Sequence, residues 1–420
     1  VASVKETVPY QLPGQVLYPG GMYDAQLNLS GTGKFATGNI INPTLLPDPS
    51  DPEVIWVAAR WHHYSQANEF GVFPTTGLDG FPVNASIKTT TTWESHVLIG
   101  RLGAQTLSLL EPMKKLSVIP PFAGQNTSAE WTPCIPEYGG YQPGNNSVTQ
   151  VISVGGLEDP RLMLTPQGKV ALTFHSLPPV GMSYSAEAAE QTDSTNADPK
   201  PTQPGYCYTK GRVFRTVLPA WESLETTPSP TELLEWDRSQ RSRPEKNWMA
   251  FFAKPSTAKT DLFVTSVVPH RVIQPIKTEN GTIMHSENSS DTMSRLLVSK
   301  ANGIVFHGGA NGLYVDRENN ATVDPYFLGT FHSINGSQYR SYMYKFQTTP
   351  PFAIRKISGL LPLLPAPLTD KSISRPLAFN SGLAILPSGS VLVSYGSSNS
   401  HSRVLVIPPA KFAEFFLKDD

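Results

Sequence analysis

Short apolar runs cover most of the chain, and Gly, Pro, Asn and Asp residues separate them. Some runs alternate with polar residues and others are continuous, a pattern typical of β-strands. Helical periodicity predicts two helices, one from Pro409 in "PAKFAEFFLKDD" and a shorter one from Pro230 in "PTELLEW". Residues 181–205 are mostly polar and predict a long mobile insertion. The pattern therefore predicts an all-β protein with long loop insertions and a short C-terminal helix.

A hairpin pattern occurs five times along the chain. "LMLTPQGKVALTFHS" (Leu162 to Ser176) aligns with "LAILPSGSVLVSYGS" (Leu383 to Ser397), since both have an apolar strand, a Pro-x-Gly turn and a second strand ending in Ser. Looser copies run from Asn42 to Arg60, from Asn247 to His270 and from Leu313 to Ser333. Hairpins that cannot bury their own faces are expected to stack radially. The sequence therefore predicts a five-bladed β-propeller as a single domain over residues 1–420, with a β-sandwich as the alternative.

Polar residues lie at or beside the ends of these hairpins, where a propeller would direct them to its central channel. The candidates are Asn42, Arg60, Glu158, Asp159, Arg161, His175, Glu245, Lys246, Asn247, His270, His307, His332 and Tyr395. Each has an ordinary structural interpretation, because Asp-Pro is a common turn and a histidine at a strand end is commonly a hydrogen-bonded structural residue. The functional interpretation depends on five separate units having polar residues at the same end.

Glycosyl transfer is the chemistry that suits such a channel. It needs an acid or base at the glycosidic oxygen and stabilisation of an oxocarbenium-like state. A carboxyl group that is partly buried near a second carboxylate can have its pKa raised into the working range. Arg161 could hold an adjacent carboxylate or a sugar hydroxyl bidentately. Flat apolar platforms for sugar rings are available at Trp56, Trp61, Trp248, Tyr339 and Tyr342, although tryptophans in a propeller are commonly packing residues.

Composition limits the kinds of partner and cofactor that we expect for the chain. A formal charge of −1 argues against nucleic acid or an anionic membrane as the main partner, and no apolar run approaches the ~18 residues of a membrane span. The histidines lack metal-site spacing, so we predict no metal and no cofactor. Cys134 and Cys207 could form one disulfide or remain free buried thiols.

Eight N-x-S/T sequons are more than chance predicts, and they indicate N-glycosylation in the secretory pathway lumen, in the Golgi, or after secretion. A surface rich in serine and asparagine is the alternative explanation. The sequons begin at Asn28, Asn84, Asn126, Asn145, Asn280, Asn288, Asn320 and Asn335.

An ordered set of motifs resembles five-bladed propellers that act on β-mannosides. The motifs are "GGLEDPRL", "EKNWMAFF", "LFVTSVVPHRV", "HGGANG", "YFLGTFHS", "YKFQTTPPFAIRKIS" and "VLVSYGSS", spread over residues 42–407. The group comprises glycoside hydrolase family 130, glycosyltransferase family 108 and the fungal β-mannosyltransferases. Glu-Asp-Pro-Arg is its most specific motif.

The resemblance implies roles for five residues. Asp159 would transfer the proton at the glycosidic oxygen, and Arg161 would bind sugar or phosphate. Asn42 and Arg60 would line the −1 sugar site, and His175, which matches the histidine that ends the blade 2 hairpin, would help to orient the sugar. The sequence also departs from the family pattern, because Asn399 and Ser400 follow the last Tyr-Gly where relatives often have an aspartate, and "GGAN" (308–311) replaces Gly-Gly-Thr/Ser-Pro.

These observations predict an inverting glycosyltransferase that forms β-mannosidic, 1,2-type linkages on a glycan acceptor from a nucleotide-sugar donor. The first alternatives are a secreted exo-β-mannosidase and a mannoside phosphorylase. The mannosidase would need a second carboxylate about 6.5–9.5 Å from Asp159, for which Glu245 is the candidate. A non-catalytic glycan-binding propeller is the second alternative.

Overall fold

The fold was analysed in a computed structural model. It describes residues 14–65, 92–119, 153–165, 167–176, 212–234, 247–251, 262–278, 281–288, 304–318, 321–335, 338–365, 377–398 and 400–416. The predicted insertion at 181–205 and both cysteines lie outside these residues. The regular elements among the described residues are nearly all strands, which confirms the all-β prediction.

The strands are β1 (Val16–Leu17), β2 (Tyr23–Gln26), β3 (Asn39–Pro47), β4 (Val54–Ser65), β5 (Thr92–Gly103), β6 (Lys114–Lys115), β7 (Val118–Ile119), β8 (Ser153–Gly156), β9 (Glu158–Leu164), β10 (Val170–Ser176), β11 (Arg212–Val217), β12 (Ser229–Leu234), β13 (Met249–Phe251), β14 (Leu262–Val267), β15 (His270–Thr278), β16 (Gly281–Asn288), β17 (Val305–Gly308), β18 (Leu313–Glu318), β19 (Ala321–Asn335), β20 (Gln338–Gln347), β21 (Ile354–Ile357), β22 (Ala378–Ile385), β23 (Val391–Ser397) and β24 (His401–Ile407). Short 3₁₀ helices cover Gly33–Ala36 and Trp221–Ser223, and the α-helix α1 covers Pro409–Glu414.

The strands form five sheets, and each sheet contains one of the five predicted hairpins. From the inside outwards, blade 1 is β3-β4-β5-β6, blade 2 is β9-β10-β11-β12-β7 and blade 3 is β13-β14-β15-β16. In blade 4, β17 and β18 together form the inner strand, followed by β19-β20-β21, and blade 5 is β22-β23-β24-β2-β1. The prediction of five blades is confirmed.

The blades close into a ring. Strand β3 contacts β9, β9 contacts β13, β14 contacts β17, β19 contacts β22, and β22 contacts β3. The chain itself closes the ring, because the early strands β1 and β2 pair onto β24 at the outside of blade 5. The predicted propeller therefore has an inner circle of strands, and the five hairpins supply it.

The hydrophobic core consists of five clusters, one between each pair of neighbouring blades. In β4, Val57, Ala59 and Trp61 pack towards blade 5, while Trp56 and Ala58 pack towards blade 2. Strand β4 therefore buries both of its faces, and successive side chains alternate between them. This explains why β4 has a nearly continuous apolar sequence.

Two local predictions have opposite outcomes. The C-terminal helix is confirmed, and Phe412 and Phe416 anchor it in the cluster between blades 4 and 5. The helix predicted from Pro230 is wrong, since residues 229–234 form β12, which pairs antiparallel with β11 and parallel with β7. The short apolar run in "PTELLEW" fits both the helical and the strand period. It forms a strand because the edge of β11 is available for backbone pairing.

A buried ion pair holds the closing strand in place. Asp24 on β2 is fully buried, and its Oδ1 accepts a 2.6 Å hydrogen bond from Nε of Arg403 on β24. Its Oδ2 accepts a 2.5 Å bond from the Tyr395 hydroxyl. Burial outweighs the opposing effects of Tyr395 and Arg403, so the pKa of Asp24 lies above its usual value. The first strands of the chain are thus linked to its last hairpin by charge as well as by backbone hydrogen bonds.

Candidate functional site

The inner strands of blades 1, 2, 4 and 5 are interrupted at the same level, and the described part of the blade 3 inner strand begins there. At this level the residues that pair with the second strand are Thr44, Arg161, Met249, Leu313 and Gly382. Two residues before each of these positions lie Asn42, Asp159, Asn247, Asn311 and Asn380. The five positions form a ring around the channel, which we call the Asn/Asp ring. Asp159 is its one acidic member.

Backbone strain is concentrated in this ring. Asn42, Asp159 and Asn247 have φ values of 51°, 47° and 61°, in the left-handed region that residues other than glycine adopt at a cost. Asn and Asp tolerate this region better than other residues with a Cβ atom, which accounts for their presence at these three positions. Such strain clusters at functional sites.

Asp159 lies among cations and donors. Its Oδ1 accepts a 2.9 Å hydrogen bond from Nδ2 of Asn42 and lies 3.9 Å from Nη1 of Arg60. Burial raises the pKa of Asp159, but Arg60, Arg161, the Asn42 hydrogen bond and His175 outweigh it, so this pKa lies below its usual value. The side chain keeps 20% of its surface exposed. Asp159 is therefore a carboxylate at neutral pH, with one side open.

Glu158 serves as the partner of Arg60. Nη2 of Arg60 donates to Oε1 of Glu158 at 2.8 Å, and Nε of Arg60 donates to the Ser95 hydroxyl at 3.0 Å. Nδ1 of His175 lies 3.9 Å from the other Glu158 oxygen. Glu158 and Ser95 thus fix the orientation of the Arg60 guanidinium, which lies beside Asp159. The structure brings together Asn42, Arg60, Glu158, Asp159 and His175, as the sequence predicts.

Arg161 is held differently from our expectation. Its Nε donates to the Gly309 carbonyl at 2.9 Å and its Nη1 to the Pro160 carbonyl at 3.0 Å. Burial lowers the pKa of Arg161 to about 10, although Asp159 raises it, so the side chain remains a cation. Two of its nitrogens thus bind backbone carbonyls of blades 2 and 4, where the sequence suggested a carboxylate or a sugar hydroxyl as the partner. Nη2 has no partner among the described residues.

Two histidines form the wall of blade 4. His307 on β17 and His332 on β19 are paired across the ladder, with ring centroids 5.5 Å apart. Nδ1 of His332 lies 3.2 Å from Oδ1 of Asn380. The Asn380 Nδ2 donates to the Phe331 carbonyl, so its oxygen faces His332, and Nδ1 must carry the hydrogen. Burial and His307 lower the pKa of His332 to about 3 despite this bond, so its ring is neutral.

We expect His332 to make the fold sensitive to acid. The unfolded ring binds a proton below pH 6.5, whereas the folded ring does so only near pH 3, so its contribution to stability is lost as the pH falls from 6.5. We expect the free energy of unfolding to fall by about 1.4 kcal/mol through this residue between about pH 7.5 and 5.5. His332→Asn keeps a donor for Asn380 and should remove this loss. Urea unfolding of both proteins at the two pH values measures this loss. An equal loss in the wild type and in His332→Asn would contradict the assignment of the loss to His332.

Several predicted site residues lie elsewhere or cannot be placed. Tyr395 is fully buried, and its hydroxyl donates to Asp24 on β2, towards the outside of blade 5, so the side chain points away from the channel. Its predicted sugar contact is therefore wrong. Asn247 occupies its ring position with Oδ1 unpartnered among the described residues. Glu245 and Lys246 lie outside the described residues.

The predicted tryptophan platforms are also wrong. Trp56, Trp61 and Trp248 are at most 7% exposed and belong to the clusters between blades. Tyr339 and Tyr342 are half-buried and stack on His332 and Phe331 respectively. His270 is buried against Tyr344 and Phe346, away from the Asn/Asp ring.

Sequence reasoning missed two ring members, Asn311 and Asn380. Asn311 donates to the Leu162 carbonyl at 2.7 Å and accepts from the Ala250 N–H at 2.8 Å, so it connects blade 4 to blades 2 and 3. Asn380 connects blade 5 to blade 4. Aligning the repeats at the inner strand, instead of at the hairpin ends, would have shown Asn or Asp at one position in every blade.

Comparison with known proteins gives a limited result. No family model and no curated protein matches the chain. Among solved structures, the β-1,2-mannobiose phosphorylase of Listeria innocua matches with a TM-score of 0.48 and 10% identity, covering 90% of this chain and 92% of that one. A glycosyl hydrolase of Bacteroides ovatus matches with a TM-score of 0.46 and 12% identity, covering 96% and 90%.

A third solved structure, the GDP-Man-dependent mannosyltransferase MPT-1 of Leishmania mexicana, matches with a TM-score of 0.43 and 9% identity, covering 93% of this chain and 92% of that one. These structures include a mannoside phosphorylase and a mannosyltransferase, the enzyme classes that the sequence motifs resemble. All three TM-scores are below 0.5, so the fold assignment depends on the five sheets and the function on the site itself.

Two further observations bear on partners. Among the described residues, no group of three or more His, Cys, Asp or Glu side chains could hold a metal ion. No helix in the described part of the chain is long and apolar enough to cross a membrane.

Proposed function

We propose that the chain is an inverting glycosyltransferase that forms β-mannosidic linkages, of the 1,2 type, on a glycan acceptor. The observation that carries the proposal is the state of Asp159. It is a partly exposed carboxylate on the inner strand of blade 2, and Asn42, Arg60 and Arg161 favour its ionised form. A group in that state accepts a proton from an acceptor hydroxyl.

The transfer step follows from this state. As the acceptor oxygen attacks the anomeric carbon of a nucleotide-activated mannose, its proton passes to an Asp159 oxygen. The bond from the anomeric carbon to the donor phosphate breaks, and the nucleoside diphosphate leaves with the bonding electrons. A single displacement inverts the anomeric configuration. Asn42 and Arg60 hold the carboxylate in one orientation, which keeps the base close to the reacting hydroxyl.

The same observation argues against the hydrolase and the phosphorylase. Both need an acid that donates a proton to the glycosidic oxygen, and in such enzymes the pKa of that acid is raised. The surroundings of Asp159 lower its pKa instead. Its neighbour Glu158 forms an ion pair with Arg60 at 2.8 Å, and Glu245, the candidate second carboxylate, lies outside the described residues.

One set of incubations separates the alternatives. We expect the chain to lengthen a β-mannoside acceptor when supplied with a nucleotide-activated mannose, and proton NMR of the product should show the inverted anomer. The acceptor alone, and the acceptor with inorganic phosphate, should be unchanged. Shortening in water would indicate a mannosidase, and a sugar phosphate would indicate a phosphorylase. Acceptor binding without any product would indicate a glycan-binding propeller.

We also propose that the chain works in the secretory pathway lumen or after secretion. Asn28, in an N-x-S sequon, is exposed in the loop that follows β2, so its side chain is open to modification. After expression in a eukaryotic secretory host, we expect Asn28 to carry an N-glycan that a glycan-removing amidase releases. Mass spectrometry of the peptide would show the deamidated asparagine, and an unmodified peptide would contradict the proposal.

A further inference from the structure

Gly396 lies on β23 of blade 5, directly behind the Asn42 amide of blade 1. A Cβ atom at position 396 would lie 2.0 Å from Asn42 Oδ1, 3.2 Å from its Cγ and 3.0 Å from its backbone nitrogen. The first of these distances is far below any van der Waals contact. The absence of a side chain at 396 is therefore what leaves room for the amide.

Asn42 has little freedom to move away. Its backbone is in the left-handed region with φ 51°, and Pro43 follows it. The Pro43 carbonyl accepts hydrogen bonds from the hydroxyls of Ser381 at 2.7 Å and Ser394 at 2.6 Å, so two strands of blade 5 fix the bulge. A side chain at 396 would have to displace the amide group, because the backbone behind it is held.

The opposite end of the same amide contacts the proposed base. Asn42 Nδ2 donates to Asp159 Oδ1 at 2.9 Å, while Oδ1 faces Gly396. Blade 5 thus sets the position of a blade 1 side chain, which in turn holds a blade 2 carboxylate.

We propose that Gly396 is a positioning residue for Asp159 and acts through Asn42. Its catalytic consequence rests on the function proposed above, but its effect on the Asp159 carboxylate does not. The charged and titratable groups around that carboxylate are Arg60 on β4, His175 on β10, Arg161 and Glu158 on β9, and His332 on β19.

Gly396→Ala should break the bond between Asn42 and Asp159. A hydrogen bond to a charged group contributes about 1.5–3 kcal/mol, which corresponds to a shift of about one to two pH units. We therefore expect the midpoint of Asp159 ionisation to rise by about one unit, with Arg60 and Arg161 still in place. Turnover at a pH below the wild-type midpoint should fall about tenfold.

The test is a double-mutant cycle read by carbon NMR of the aspartate carboxyl groups, with the Asp159 signal assigned by its loss in Asp159→Asn. The four proteins are the wild type, Gly396→Ala, Asn42→Ala and the double variant. Asn42→Ala alone should raise the midpoint as Gly396→Ala does. In the double variant the alanine at 396 should add no further shift, because the group it displaces is gone.

A matched control separates crowding from positioning. Gly329 is a crowded glycine on the second strand of blade 4, where a Cβ would lie 2.7 Å from the Tyr344 ring. Gly329→Ala should lower the melting temperature without moving the Asp159 midpoint. If Gly396→Ala does not fold, the double variant should still fold, since truncating Asn42 removes the closest clash.

Three outcomes would overturn the positioning role. They are an unchanged midpoint in folded Gly396→Ala, an additional shift in the Asn42→Ala background, and a double variant that does not fold. If the wild type shows no transfer at all, the proposed function fails, but the NMR cycle still decides the role of Gly396. In an active enzyme, the acidic limb of the pH–rate profile should move with the NMR midpoint.

Discussion

Replacement of Asp159 by Asn is expected to reduce the proposed mannosyl transfer by about 10²–10⁴-fold while the protein stays folded. The amide has nearly the same shape, but it cannot take the proton of an acceptor hydroxyl, and general base catalysis contributes a factor of this size. Its oxygen can still accept the hydrogen bond from Asn42. Turnover with nucleotide-activated mannose and the affinity for the acceptor should be measured together, since we expect affinity to change much less than turnover.

The control for this variant is Asp324→Asn. Asp324 also forms an ion pair with an arginine, Arg355, at 2.6 Å, but its side chain is 78% exposed and lies on blade 4. The same chemical change there should leave turnover intact, because exposed ion pairs contribute little. Asp159→Asn with wild-type turnover would rule out Asp159 as the base. If the wild type shows no turnover, and Asp159→Asn binds the glycan as tightly as the wild type does, the glycan-binding alternative is supported.

Asp24→Ala is expected to lower the free energy of unfolding by about 3–5 kcal/mol, the effect typical of removing one partner from a buried ion pair. The substitution leaves Arg403 and the Tyr395 hydroxyl without their carboxylate in a site where Asp24 is fully buried. It also weakens the pairing of β2 with β24, which closes the ring. Urea unfolding at neutral pH measures the loss.

Asp324→Ala again supplies the comparison, with an expected loss below about 1 kcal/mol because solvent screens its ion pair with Arg355. If Asp24→Ala lost no more than this control, the buried cluster would not be what holds the closing strand. The loss of unfolding free energy in Asp24→Asn should lie between the losses in these two variants, since an amide keeps hydrogen-bonding capacity without the charge.

Much of the site was visible in the sequence because its residues are close along the chain or repeat between blades. Glu158 and Asp159 are adjacent, and His175 pairs with Glu158 through the hairpin that the pattern predicted. Asn42 and Arg60 belong to another hairpin, and only the repeat placed them at the same level. The resemblance to mannoside-acting propellers pointed to the same positions.

Exposure could not be predicted, because each blade face is covered by a blade that is distant in sequence. Trp56, Trp61 and Trp248 suit a sugar platform as isolated residues, yet each packs against a neighbouring sheet. Tyr395 was expected in the channel, but the face of β23 on which it lies is set by strand pairing. Arg161 binds the Gly309 carbonyl, a partner 148 residues away in the chain.

The sequence by itself determined the five hairpins, the C-terminal helix and the acidic residue at the blade 2 bulge, since apolar periodicity and turn residues act over a few positions. The tertiary structure alone decided that four asparagines complete a ring with Asp159, and that Gly396 and Asn42 fix its carboxylate. It also decided that the surrounding cations keep this carboxylate ionised. These contacts join residues from different blades, and their energies depend on distance and burial, which only the closed ring establishes.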